Sequence, residues 1–312
     1  MYPGRSMRSA ELALIDAFLA PFRLERTSSA APGVLVGPGD DCAVVQPSRG
    51  KKLVVKTDEV VEGVHFTLSR FSPADVGHKA LAVNLSDLAA AGATPRWFVC
   101  ALGVPRRGDA VRTARGMGRG MAQLARRHRV ALIGGNVTRA PAWSLAICAL
   151  GESARPRGRT GARPGDALVV VGRLGAAAVG LRRRGPAGIA QRRPEPLLED
   201  GIAAGPLPSA SIDVSDGFLR DLEHLCTSSG CAAEVRIEDL PIARGATLDD
   251  ALSGGEDYAL LFAVPRTKLR RLRAAVPSSR VAGRFVAGKG IRLLDRGRTR
   301  PLPASRGFDH LA

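Results

Sequence analysis

Aromatic residues make up only 4% of this 312-residue chain. Its core must be built mainly from Ala, Val, Leu and Ile, which a hydrophobic content of 45% allows. Acids are scarce beside bases: 29 Asp and Glu stand against 46 Lys and Arg, a formal net charge of +17. The five cysteines, Cys42, Cys100, Cys148, Cys226 and Cys231, form no C-x-x-C pair. That argues against a zinc or redox centre and for free thiols in a reducing compartment. No apolar stretch reaches the roughly 18 residues of a membrane span. Glu11 and Asp16 interrupt the first apolar stretch, so a signal core is missing and a cytoplasmic location is expected. Several catalytic signatures are missing too. Without G-x-x-x-x-G-K-[ST] there is no P-loop, and no G-x-G-x-x-G opens a helix after a strand. H-E-x-x-H and G-x-S-x-G do not occur.

The basic excess lies in arginines spread over Arg106–Arg129, Arg155–Arg163, Arg182–Arg193 and Arg266–Arg300. They are not interleaved with aromatics for base stacking, so specific nucleic-acid binding is not expected. A positive field would still draw in anionic substrates.

Periodicity gives an alternation of helices and strands, hence an α/β or mixed α+β class. A first helix is predicted over Ser9–Pro21, with Leu12, Ile15 and Leu19 on its apolar stripe. Leu53–Thr57 reads as a short buried strand ending at Asp58. Ser72-Pro73-Ala74-Asp75 starts a helix that stops at Gly92, with Ser as N-cap and Pro in the first turn. Asp109–Arg127 is helical, and Val130–Ile133 is a strand ending in Gly134-Gly135. The Pro/Gly/Arg-rich stretch Gly151–Pro164 is the boundary expected between residues 1–152 and 153–312. Beyond it, Ala167–Val171 is a strand and Gly175–Leu181 a helix; Arg182–Pro208 reads as exposed and irregular. Ser211–Val214 feeds a helix over Asp216–Ser228, and Tyr258–Val264 is a strand.

Against this basic background, carboxylates stand beside apolar runs, where burying an ionised acid is expensive. Asp40 and Asp41 follow a glycine turn. Asp58 follows Thr57 at a strand end, with Glu62 and His65 beyond it. Asn84 and Asp87 share a helix face with Ala80 and Ala91, next to the core stripe Leu81, Leu85 and Leu88. Asp213, Ser215 and Asp216 mark a strand-to-helix junction, and Gly254-Gly255-Glu256-Asp257 precedes a strand. Each has a plain structural reading as well: Asp58 capping a turn, Asp87 solvated on an outer face, Ser215 as an N-cap with Asp216 complementing the helix dipole. Converging on one pocket, they would form a multi-Mg²⁺ site of the kind that handles phosphates.

Taken together, the motifs are more specific. Gly-Asp40-Asp41-Cys-Ala, Thr57-Asp58-Glu-Val-Val-Glu-Gly-Val-His65-Phe, Lys79-Ala-Leu-Ala-Val-Asn84-Leu-Ser-Asp87-Leu-Ala-Ala-Ala-Gly-Ala, Asp213-Val-Ser-Asp216-Gly, Gly254-Gly-Glu256-Asp-Tyr and Gly-Phe308-Asp-His occur in order along the whole chain. In this the sequence resembles the thiamine-monophosphate kinase family, part of the aminoimidazole-ribotide-synthetase-like superfamily. The resemblance implies a two-domain fold. The N-terminal domain would bind ATP and Mg²⁺ and dimerise through its sheet, and a C-terminal α/β domain would complete the cleft. It implies transfer of the γ-phosphoryl of ATP to thiamine monophosphate, assisted by several Mg²⁺ ions. By position, Asp41, Asp58, Asp87, Asp213 and Asp216 resemble metal ligands, with Lys56 (through its carbonyl), Thr57 and Asn136 completing the set. Met117, Gly135, Asn136, Arg159 and Ser215 resemble ATP contacts, Gly135 on a nucleotide loop. His65, Glu256 and Phe308 resemble the acceptor site. No general base is implied, because the attacking phosphate is already ionised.

Two positions depart from the family pattern. Asn136 stands where Asp is usual, and Lys56 where Ser or Thr is common; Lys56 could supply the charge that a weakly held ion no longer does. The motifs also leave room for a superfamily relative activating another small substrate with ATP. A weakened nucleotide-binding homologue, or a basic nucleic-acid binder, is the third reading.

Overall fold

The computed structural model describes residues 10–24, 32–38, 42–182 and 188–308. Two units divide the chain: Met1–Ser48, Val55–Asn84 and Pro95–Leu150 in the first, Arg49–Val54, Leu85–Thr94 and Gly151–Ala312 in the second. Both mix helices with strands. No helix among the described residues is long and apolar enough to cross a membrane.

The N-terminal half runs α1 (Ala10–Leu24), β1 (Val34–Val36), β2 (Val44–Val45), β3 (Lys52–Val61), α2 (Pro73–Ala90), β4 (Thr94–Val104), α3 (Ala110–His128), β5 (Ala131–Arg139) and β6 (Ser144–Ser153). Four strands form one sheet in the order β3-β6-β4-β5, with β4 and β5 parallel. The start of α2 is as expected: Ser72 Oγ accepts from Asp75 N, and Asp75 Oδ2 accepts from Ser72 N. This reciprocal box satisfies two backbone donors at once. Helix α3 begins at Asp109, whose carboxylate accepts from Arg112 N.

Three glycines, two on α3 and one on α2, set the helix packing of the first unit. A methyl group on Gly120 would stand 1.8 Å from the Ala74 carbonyl oxygen, and one on Gly118 2.2 Å from that of Phe18. From the other side, Gly77 of α2 faces the Met117 carbonyl at 1.8 Å. Backbones this close leave no room for a side chain. The contact of α1 with α3 also corrects its apolar stripe. Leu14, Ala17, Phe18, Pro21 and Phe22 are the buried residues; Leu12 is exposed, and Ile15 and Leu19 are half-buried. The hydrophobic positions fit two overlapping faces, and close approach at Gly118 selects the one that carries Phe18.

Two strands run further than their sequences suggest. Asp58 does not end β3 but lies inside it. As an edge strand, β3 keeps most of its side chains exposed, so Asp58 and Glu59 carry no burial cost there. Gly134 and Gly135 do not end β5 either. They pair with Val99 and Cys100 of β4, and a methyl on Gly135 would lie 2.2 Å from the Cys100 carbonyl.

The second unit continues with β7 (Ala167–Val171), α4 (Ala176–Arg182), α5 (Ile189–Arg192), α6 (Leu198–Ala204), β8 (Ala210–Asp213), α7 (Phe218–Ser229), β9 (Ala232–Arg236), α8 (Leu248–Ser253), β10 (Leu260–Val264), α9 (Arg266–Ala275), β11 (Arg280–Val286), β12 (Gly290–Asp295) and β13 (Arg298–Arg300). Seven strands order as β13-β12-β9-β11-β7-β10-β8. Every residue of β7 and β10 is buried. Phe218, Leu219, Leu222 and Leu225 of α7 pack with Leu168, Val170, Ile212, Leu261 and Phe285 in one cluster. Each such side chain contributes about 1.5–3 kcal/mol by leaving water. The stretch after α4 is not wholly irregular. Leu198, Gly201 and Ala204 of α6 are buried, with Gly201 tight against the Ala89 carbonyl.

Candidate active site

Asp87 is singled out by burial. From Val76 to Ala90 every residue except Asp87 is buried; Asp87 is half-buried. Asn84, one turn earlier, is enclosed and turns its amide to its own helix, Nδ2 donating to the Ala80 carbonyl at 3.0 Å. Asp87 is therefore the one side chain on this length of α2 that keeps access to water and ligands.

Its neighbour Ser86 links α2 to β8. Ser86 Oγ donates to Asp213 Oδ2 at 2.6 Å, and Asp213 is itself 3% exposed. Ser211, two residues earlier on β8, donates to the Ala90 carbonyl. Two hydroxyls thus stitch the end of α2 to the strand that ends in Asp213. A carboxylate has about four acceptor sites, and the Ser86 hydroxyl takes one of them at this strand end.

Beyond Asp213 three chain segments meet. Glu256 N donates to the Ser215 carbonyl at 2.7 Å, Tyr258 N to the Val214 carbonyl at 2.8 Å, and Phe308 N to the Asp216 carbonyl at 2.9 Å. Gly255 and Gly307 permit these approaches, since a methyl on either would meet the Ser215 or Asp216 carbonyl within 3 Å. The strain falls on their neighbours: Glu256 and Tyr258 have φ of 65° and 51°. Positive φ at two non-glycine residues is costly and is held here by the surrounding bonds. Asp257 between them accepts from Gly175 N and Ala177 N at the start of α4. Burial nevertheless pushes its carboxyl up to about 6, the backbone donors opposing the shift.

Asp213, Ser215, Asp216, Glu256 and Phe308 are thereby brought into one junction. Glu256 Oε2 accepts from the buried Gln191 at 3.4 Å, and the Phe308 ring is half exposed. Asp216 lies 4.0 Å from Arg220 Nε. Arg159 is exposed, its carbonyl taking the Ser229 hydroxyl. Ser215 is not the helix cap; Gly217 occupies that place. The donors of the turn go to Asp221, which sequence reading passed over. Its Oδ2 accepts from Ser215 N, Asp216 N and Gly217 N at 3.0, 3.1 and 3.1 Å. Burial, reinforced by the charge of Asp216, pushes the Asp221 carboxyl up to about 7 against those three bonds. The missed signal was its position on the apolar stripe of Phe218, Leu222 and Leu225.

In the first unit the candidates are more dispersed. Lys56 Nζ is 3.4 Å from Asp58 Oδ2. Thr57 Oγ1 donates to the Ile147 carbonyl, which leaves its oxygen lone pairs for a cation. His65 Nδ1 accepts from Val61 N at 3.0 Å, so Nε2 is the ring's donor to any ligand. Lys79, 1% exposed, donates to the His65 carbonyl and lies over the Phe71 ring. Asn136 is exposed on β5, at the opposite edge of the sheet from Asp58. Two strands intervene, a separation of roughly 14 Å at about 4.8 Å per strand. Gly135 and Asn136 line a cavity of about 290 Å³ with Glu11, Phe18, Cys100 and Ile133. Gly135 is there as a strand residue, not on a loop. Met117 is fully buried and presents no surface to ATP. Asp41 and Asp40 lie outside the described residues, as do Asp309 and His310.

The family described as AIR synthase related protein, N-terminal domain, matches residues 39–153. Thiamine-monophosphate kinase of Salmonella typhimurium is 35% identical over 98% of this chain and 99% of its own length. The chain belongs to the thiamine-monophosphate kinase family. Among solved structures, a thiamine-monophosphate kinase from Stenotrophomonas maltophilia superposes with a TM-score of 0.79 at 36% identity, covering 91% of this chain and 96% of that one. AaThiL complexed with AMPPCP and TMP gives 0.76 at 29% identity, covering 99% and 100%. Among the described residues, no three His, Cys, Asp or Glu side chains stand close enough to hold a metal ion. A thiamine-monophosphate kinase does not need such a cage if its cation is Mg²⁺, which keeps several waters and binds through one or two carboxylates plus substrate phosphates.

Proposed function

We propose that this chain transfers the γ-phosphoryl group of ATP directly to the phosphate of thiamine monophosphate, giving thiamine diphosphate and ADP. An oxygen of the acceptor phosphate forms the new P–O bond as the bond to the leaving ADP oxygen breaks. That oxygen is ionised at neutral pH, so no side chain has to remove a proton. What carries the reading is the junction at which Asp213, Ser215, Asp216, Glu256 and Phe308 meet in a member of this family.

In this reading Asp41, Asp58, Asp87, Asp213 and Asp216 are the anionic Mg²⁺ ligands, with Thr57, the Lys56 carbonyl and Asn136 as neutral ones. The ions would offset the repulsion between two phosphorylated reactants. Gly135, Asn136, Arg159 and Ser215 hold ATP, Arg159 supplying an exposed cation. His65, Glu256 and Phe308 hold the acceptor, the half-exposed Phe308 ring being suited to stacking on a heteroaromatic ring. The enzyme works in the cytoplasm as a homodimer joined through the N-terminal sheet. The exposed Val55 of β3 and the half-buried Ala146, Cys148 and Leu150 of β6 support that interface.

Pure protein incubated with ATP, Mg²⁺ and thiamine monophosphate should release thiamine diphosphate and ADP in equal amounts. ATP binding without binding of thiamine monophosphate would assign another small acceptor. Asp87→Asn should abolish most turnover while its thermal melt by circular dichroism stays that of the wild type; normal turnover would remove Asp87 from the site. Sedimentation equilibrium at a dimer mass is expected, and a monomer would reject the sheet interface.

A further inference from the structure

Asp221 invites an ordinary explanation, that of an acid in the first turns of a helix. The bonds it accepts do not fit that explanation. Helix α7 starts at Phe218 after the cap Gly217, so its unpaired donors are those of Gly217, Phe218, Leu219 and Arg220, and of these Asp221 takes only the first. Asp221 instead turns back and takes the N–H groups of Ser215, Asp216 and Gly217, which precede the first helical residue. Three successive backbone donors converging on one point make a concavity of the kind that elsewhere receives phosphate. Here the protein's own carboxylate fills it, and the residue is 2% exposed.

The opposite side of the same peptides faces the candidate ligands' neighbours. The Ser215 carbonyl receives Glu256 N, and the Asp216 carbonyl receives Phe308 N. One buried oxygen therefore fixes a turn whose other groups hold the backbone of two further segments. Gly217, with φ of 133°, and the tight approaches at Gly255 and Gly307 leave that turn little freedom once its donors are tied down.

We propose that Asp221 is a positioning residue for phosphoryl transfer. It orients Asp216 and Ser215 toward the Mg²⁺–nucleotide and, through their carbonyls, Glu256 and Phe308 toward the acceptor. This rests on the function proposed above. Because the turn's donors are committed inward, ATP phosphates are held by side chains and cations, not by these backbone N–H groups.

The test compares Asp221→Ala, Asp221→Asn and, as a stability control, Asp166→Ala. Asp166 is also a buried acid of the second unit, accepting from Ser209 Oγ and Arg163 N away from the junction. Binding is read without turnover, by the loss of the free Mn²⁺ electron-paramagnetic-resonance signal in the presence of a non-hydrolysable ATP analogue. Activity is read as half-saturating Mg²⁺ and as KM for thiamine monophosphate. Asp221→Ala should weaken Mn²⁺–nucleotide binding and raise half-saturating Mg²⁺ by about tenfold or more, the range seen when groups behind metal ligands are removed. KM for thiamine monophosphate should rise with them. Asp221→Asn keeps one acceptor oxygen and should fall between Asp221→Ala and the wild type. Asp166→Ala should lower the melting temperature and leave all three readings unchanged. If Asp221→Ala does not fold, Asp221→Asn decides, and wild-type values in it overturn the proposal. An active wild type with an unaffected Asp221→Ala overturns this inference alone. A wild type that binds no Mn²⁺–nucleotide overturns both it and the function it rests on.

Discussion

At the scale of single residues, two departures from the family resemblance can be tested directly. Asn136 offers an amide oxygen where the family pattern has a carboxylate, and Lys56 places an ammonium 3.4 Å from Asp58. Restoring the acid should tighten cation binding, so Asn136→Asp is expected to lower the Mg²⁺ concentration for half-maximal activity. An unchanged Mg²⁺ titration would show that this position does not meet the metal. Asp257 makes a prediction about pH. Its folded pKa of about 6 lies above its ordinary 3.8. Between those values the folded state holds a proton that the unfolded state has lost, so stability falls as pH rises through the window and levels off above it. Urea unfolding should therefore show the wild type losing on the order of 2–3 kcal/mol relative to Asp257→Asn between about pH 4 and 6. A constant difference between the two would mean that the backbone donors at the start of α4 keep Asp257 ionised throughout.

At the scale of elements, glycine decides how closely backbones approach. Gly120, buried against α2, should be the least tolerant glycine in α3, because a methyl there meets the Ala74 carbonyl at 1.8 Å. Gly120→Ala should cost about 1–3 kcal/mol or more, read as a lower melting temperature, despite the better helix propensity of alanine. The same physics explains what could be read in the chain beforehand. The start of α2 was legible because Ser72, Pro73 and Asp75 act on their own backbone. The edge strand β3 was cut short because Asp58 and Glu59 look like a turn until the strand's neighbours are known. Gly134 and Gly135 read as a stop because the sequence does not show Cys100 beside them. Helix α6 was hidden by its Pro, Gly and Arg surroundings. Asp87 was legible as an acid in an apolar stripe, and Asp221 would have been found by the same argument applied to α7. The bonds from Glu256 and Phe308 to the turn after Asp213 join segments far apart in sequence, and no local pattern encodes them.

At the scale of the whole molecule, the formal charge of +17 acts on association more than on fold. ATP is a polyanion, whereas the thiazolium cation of thiamine monophosphate offsets part of its phosphate charge, so KM for ATP should rise most as ionic strength increases, with kcat much less affected. Values of KM indifferent to salt would leave the arginine excess without a part in substrate capture. The strand order has a consequence of another kind. Strand β7 is made early in the second half of the chain, yet its two partners, β10 and β11, come long after it. On the ribosome, Ala-Leu-Val-Val-Val at 167–171 waits as a bare, sticky ribbon until Leu260–Val264 has been translated. Nascent chains stalled before that point should be held by chaperones or precipitate, whereas release a few dozen codons later should give soluble protein.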